Sequence, residues 1–284
     1  MKPQLLMSLI HDDLSVGVSR ESAIREYCRR AIVLADNGIE LRFVIPADNL
    51  KGYSIASNLA SSSIAPWCVR ISQGQSTSRN YFQALQWPRD LFQYIDGELF
   101  SYDCNLSITH QIANQLNLPK PKTSSIGEGG LFVSTRDIVI ASQPIGGEID
   151  WQPLRNKGYQ VYEVPFLQVD ENKPEDFQNV SRQSGHIDLE LALISSPQGN
   201  LALLINEPFY QEQKEILDRI SIKTNAQIYR ISEKFEVENR AVNLIQIPNG
   251  KVAYDVTATQ TESILERILG KNNLIPFLPI GLES

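Results

Sequence analysis

The chain has 284 residues, 42% hydrophobic and 21% charged, the profile of an ordinary globular protein with enough apolar material for a substantial core. Its net charge of −7, with Lys and Arg dispersed, argues against a nucleic-acid partner. No apolar run is long enough to cross a bilayer, and the stretch Met1–Asp13 lacks the pattern of a signal peptide, so a soluble cytoplasmic protein is expected.

Taken in order, residues 4–9 predict a short strand. From Ser19, a plausible N-cap, the pattern turns helical, with Ile24, Tyr27, Cys28, Ala31, Ile32 and Ala35 on one face. Asn37-Gly38 supplies a left-handed stop. Glu40–Ile45 alternates as a strand ended by Pro46, and residues 47–80, rich in Ser and Asn, predict loop with a short helix. Four hairpins follow. Leu91–Ser101 turns at Asp96-Gly97, Leu131–Ala141 at Thr135–Asp137, Asp188–Ile205 at Ser195–Asn200, and Asn243–Asp255 at Asn249-Gly250.

A helix, Ile108–Leu116, is expected after the first hairpin. Single strands are expected after the other three, at Tyr159–Phe166, Gln227–Ile231 and Leu274–Leu278, with helices Tyr210–Ile220 and Gln260–Leu269 inserted in the last two units. The hairpins begin roughly 40–57 residues apart, the spacing of an internal repeat, and the recurring pattern is strand, turn, strand, helix, strand. Without a linker-like break, residues 1–284 read as one α/β domain. A ring of such units brings the hairpin starts to a common axis.

Three short motifs occupy those starts: Trp87-Pro88-Arg89-Asp90, Gly127-Glu128-Gly129-Gly130 and Gly185-His186-Ile187-Asp188. Singly, each has a plain alternative: a turn with a surface ion pair, a solvated loop acid, a histidine satisfied in a turn. Read as a strand, His186 and Asp188 point to the same face, since residues i and i+2 share one. That pairs a proton-transfer group with a permanent anion.

In this order the motifs resemble the guanidine-modifying pentein superfamily: arginine and agmatine deiminases, dimethylarginine dimethylaminohydrolases and amidinotransferases. The resemblance runs from about residue 87 to the C-terminus and implies a pseudo-fivefold α/β propeller of ββαβ units around a central site. It implies an enzyme acting on arginine or an arginine derivative as hydrolase or amidinotransferase, with a small guanidino substrate and no cofactor or metal. By the same resemblance Asp90 and Asp188 clamp the guanidinium through charge-assisted hydrogen bonds. His186 protonates the leaving nitrogen and activates the incoming nucleophile. Glu128 accepts a hydrogen bond from His186. Trp87 is a candidate for stacking on the cation, and Arg89 is one candidate partner for a substrate carboxylate.

The family attacks the guanidino carbon with a cysteine thiolate near the C-terminus, after a glycine-rich run. Here Leu274–Ser284 contains no cysteine, and none follows Cys104. The three cysteines, Cys28, Cys68 and Cys104, are too few and scattered for a disulfide framework or zinc site. Three explanations stay open. The chain stops short of the nucleophile strand, which the number of hairpins favours, because the N-terminal helix and strand read as a blade without its hairpin partner. Alternatively it is a non-catalytic module binding an arginine-like ligand or a macromolecular partner. Or another cysteine substitutes, although Cys104 falls at the far end of the first hairpin from Asp90. No motif sets the substrate, the choice of hydrolysis or transfer, or the oligomeric state.

Overall fold

A computed structural model describes residues 4–8, 29–30, 32–46, 67–71, 92–95, 97–101, 106–123, 129–143, 149–165, 185–233, 241–242, 244–247 and 250–277. The chain divides into two compact units, Met1–Ser124 with Leu278–Ser284, and Ser125–Phe277.

In the first unit β1 (Gln4–Ser8), β2 (Glu40–Pro46) and β3 (Trp67–Ile71) form a sheet in that order, with both pairings parallel. Among the described residues this sheet contains no hairpin. β3 falls in the stretch read as loop and short helix; five residues, Trp-Cys-Val-Arg-Ile, are too few to announce a strand amid serines. The hairpin β4 (Phe92–Ile95) and β5 (Glu98–Ser101) follows, with Gly97 at its tip. Then come α1 (Leu106–Leu116) and β6 (Lys122–Thr123), which pairs parallel with β5. The sequence signals α1 but not the two residues of β6. Where β5 meets α1, the buried hydroxyls of Ser101 and Thr109 hydrogen-bond at 2.8 Å.

The second unit repeats strand, strand, helix, strand three times. The first copy is β7 (Phe132–Thr135), β8 (Ile138–Gln143), α2 (Gln152–Asn156) and β9 (Gln160–Pro165). The second is β10 (Leu191–Ser195), β11 (Leu201–Asn206), α3 (Glu207–Thr224) and β12 (Ala226–Ile231). The third is β13 (Ile245–Gln246), β14 (Val252–Asp255), α4 (Thr259–Leu269) and β15 (Leu274–Phe277). In each, the first two strands pair antiparallel and the helix returns the chain to a third strand parallel to the second. α2, at five residues, is too short to show helical periodicity and was not expected. It is tied down by an ion pair from Arg155 to Glu163 on β9. Burial pushes the Glu163 carboxyl up, but hydrogen bonds from Arg155 and Gln143, with the Arg155 charge, bring it below its ordinary range.

In the middle sheet β10 and β11 are apolar on both faces, which explains their unbroken runs Leu-Ala-Leu-Ile and Leu-Ala-Leu-Leu-Ile. Leu191, Leu193, Leu203 and Ile205 join Ile138, Ile140 and Val164 in one core, closed by Phe209, Tyr210, Leu217 and Ile220 of α3. Ala192, Ile194, Ala202 and Leu204 face the opposite way, into a second core with Val252, Tyr254 and the α4 residues Ile264, Leu265 and Leu269. At one end of these sheets the Arg136 guanidinium donates to the Gly199 carbonyl at 3.2 Å, linking the turn β7–β8 to the turn β10–β11. Among the described residues no helix is long and apolar enough to cross a membrane.

Because Leu203 is fully buried between these elements, Leu203→Ala should lower unfolding free energy by about 2–5 kcal/mol in a urea titration. Ile222→Ala on the solvent face of α3, where the side chain is 81% exposed, should stay within about 0.5 kcal/mol of wild type.

Candidate functional site

The motif Gly185-His186-Ile187-Asp188 does not continue β10 backwards as a strand. Gly185 takes φ 69, which a glycine adopts without a steric penalty. His186 is extended at φ −74, ψ 96, and Ile187–Leu189 coil into a 3-10 turn. The Leu189 N–H donates to the His186 carbonyl at 3.3 Å and the Glu190 N–H to the Ile187 carbonyl at 2.9 Å. With about three residues per turn, His186 and Asp188 do not project side by side, so that expectation is corrected. The physical reason lies in the sheet. A continued strand would press His186, Asp188 and Glu190 onto the face where Ala192 and Ile194 meet an apolar core, at the cost of burying polar groups there. The turn keeps Ile187 in the core shared with β8 and β11, and this apolar anchor locates His186 and Asp188 on either side of it.

A second 3-10 turn, Gly129–Leu131, precedes β7 in the same way, and the two turns touch. At their contact the His186 imidazole lies directly on the Gly130 α-carbon. A β-carbon at Gly130 would come within 2.5 Å of Nδ1, 2.6 Å of Cγ and 2.8 Å of Cε1, closer than nonbonded atoms approach. Nδ1 is the ring atom nearest to that β-carbon position, and Nε2 lies farther from it than the three named. The fold thus brings Gly130, the last residue of one motif, against His186 of another, although 56 residues separate them.

Around this contact the polar groups are withdrawn from water: Asp188 is 7% exposed, Glu190 8% and Asn206 2%, while His186 keeps partial exposure. The Asn206 backbone N–H donates to the Glu190 carbonyl at 2.9 Å. Its side-chain Nδ2 donates to the Leu189 carbonyl at 2.9 Å and to Glu190 Oε2 at 3.2 Å. Ser142 Oγ and Asn206 Oδ1, in the last two residues of β8 and the last of β11, are buried with no hydrogen-bond partner among the described residues. Two carboxyl groups placed out of water within one turn favour a cationic group able to hydrogen-bond with them.

Of the residues singled out by sequence, His186 and Asp188 stand in this arrangement. Trp87, Arg89, Asp90 and Glu128 lie outside the described residues, as do Cys28 and Cys104. Cys68 is on β3, in parallel register with Phe43 of β2. Sequence reasoning missed Gly130 as the seat of the histidine, and it missed Glu190 and Asn206. Asn206 sits at the N-cap position of α3, a placement that conceals the different partners its side chain takes. Among the described residues no three His, Cys, Asp or Glu side chains gather as they would around a metal ion.

No family model matches the sequence, and no curated protein matches it. Solved structures do resemble the fold. One is a dimethylarginine dimethylaminohydrolase, a histidine-to-glycine variant forming an adduct with S-methyl-L-thiocitrulline, with TM-score 0.60 and 12% identity over 98% of this chain and 93% of that one. Another is SxtG, an amidinotransferase from Microseira wollei in saxitoxin biosynthesis, with TM-score 0.56 and 12% identity over 98% of this chain and 88% of that one. The chain has a mixed α/β fold of pentein type.

The seat of His186 is open to a direct test. Gly130→Ala should displace the imidazole, shifting its Cε1–H resonance in NMR spectra, and should cost about 1–3 kcal/mol of stability from overpacking. An unmoved resonance would show that the ring does not rest on Gly130.

Proposed function

We propose that the protein binds and modifies the guanidino group of arginine or an arginine derivative, with His186 and Asp188 meeting that group. The observation that carries this is the contact of the two turns, which seats a partly exposed imidazole on Gly130 in the same short segment that carries the buried carboxyl groups of Asp188 and Glu190. The pentein-type fold supports it, since the two neighbours are named for guanidino or amidino chemistry. A guanidinium is planar and cationic, and carboxylates hold it best through paired N–H···O bonds.

In this reading Asp188 binds the guanidinium, and His186 moves a proton to the departing nitrogen and from the incoming nucleophile, as an imidazole within reach of both can. From the sequence motifs the proposal adds Asp90 as the second carboxylate and Glu128 as the acceptor that orients His186. Trp87 is added as a stacking surface and Arg89 as partner of a substrate carboxylate. A single cytoplasmic domain with its five sheets as blades of a pseudo-fivefold propeller belongs to the same proposal.

The absence of any cysteine beyond Cys104 favours a second reading, a module that binds an arginine-like ligand without turning it over. Titration calorimetry with L-arginine, agmatine and dimethylarginine, together with assays for ammonia, citrulline and amidino transfer to an amine, separates the two. Saturable binding weakened about 10–100-fold in Asp188→Asn is expected, the effect of losing a charge-assisted hydrogen bond. Product formation supports modification; binding without product supports the second reading. No binding by any of the three compounds would sink both.

A further inference from the structure

Asn206 ends β11 and occupies the N-cap position of α3, with extended φ −60, ψ 128. Asparagine is favoured at such positions because its side-chain oxygen can accept an N–H of the first helical turn. Here it does not: no side-chain capping bond forms, and Pro208 stands at the second helical position without an N–H to offer. The carboxamide faces the other way. Its Nδ2 reaches the Leu189 carbonyl at 2.9 Å and Glu190 Oε2 at 3.2 Å, and the backbone N–H of the same residue holds the Glu190 carbonyl at 2.9 Å. One residue therefore directs three hydrogen bonds at the carbonyl end of the turn that carries His186 and Asp188. Its Oδ1 remains buried with no hydrogen-bond partner among the described residues, and the side chain is 2% exposed. Burying an amide oxygen in this state carries a cost, and the helix start loses its cap as well. A residue serving only the helix would be arranged the opposite way.

We propose that Asn206 is a positioning residue of the candidate site, fixing the His186–Asp188 turn through Leu189 and Glu190 so that the imidazole stays seated on Gly130. The assignment of the turn to guanidino binding rests on the function proposed above; the positioning itself does not.

The test uses the full chain with no ligand first. The Cε1–H resonance of His186, assigned by its loss in His186→Asn, is compared in wild type, Asn206→Ala and the isosteric Asn206→Asp, with His110 on α1 as an internal reference. Loss of the Nδ2 donor should shift or broaden the His186 resonance while that of His110 stays in place and far-ultraviolet circular dichroism is retained. In a second arm, arginine affinity measured by calorimetry should fall at least about tenfold in both variants. An unchanged His186 resonance in a folded variant overturns the proposal. So does failure of both variants to fold, which would assign the residue to stability alone. If wild type binds none of arginine, agmatine and dimethylarginine but the resonance moves, the positioning role stands and the guanidino reading fails.

Discussion

The arrangement turns on how closely an imidazole approaches a glycine α-carbon. Two 3-10 turns, each leading into a hairpin strand, meet where Gly130 has no side chain, and the His186 ring fills the space a β-carbon would need. The contact requires that the hairpins β7–β8 and β10–β11 stand side by side. They are held so by the core between them and by Arg136 reaching Gly199 at their turns. Small displacements are resisted because cores pack as densely as organic crystals. The position of the imidazole is therefore a property of two sheets, not of one loop.

The apolar residue between His186 and Asp188 has a comparable part. Ile187 is fully buried in the core that β8, β11 and α3 share, so His186 and Asp188 are carried on the shoulders of an anchor. Strands β10 and β11 are apolar on both faces and leave little room for polar side chains along their length. These collect at one end of the strands, where the chain turns and hydrogen bonds from Asn206 can compensate the buried backbone. Glycines at 130 and 185, an apolar anchor at 187 and a diverted N-cap at 206 together convert a strand end into a polar turn.

The all-parallel sheet β1-β2-β3 differs from the other four, each of which pairs its first two strands antiparallel. A parallel pair needs a long crossover where an antiparallel pair needs only a tight turn. That difference accounts for the long intervals between these three strands and for the weak local signal of β3.

Much of this was legible from sequence. Turn residues such as Asp96-Gly97 and Asn249-Gly250, with alternating or continuous apolar runs beside them, mark four hairpins, because turn geometry and the strand period are local properties. The helices α1, α3 and α4 followed from their 3.6-residue stripes, whereas α2, β3 and β6 were too short to carry a period. The motif Gly-His-Ile-Asp was visible as chemistry, yet its conformation was not. A strand and a 3-10 turn bury this motif differently, and the choice depends on what covers both faces of β10. Only the tertiary structure decided that choice, since it alone places the core against β10, seats His186 on a glycine 56 residues away and turns Asn206 from its helix toward Leu189 and Glu190. Sequence by itself determined which residues can do chemistry and where strands and helices begin; packing between distant segments determined which of those residues meet.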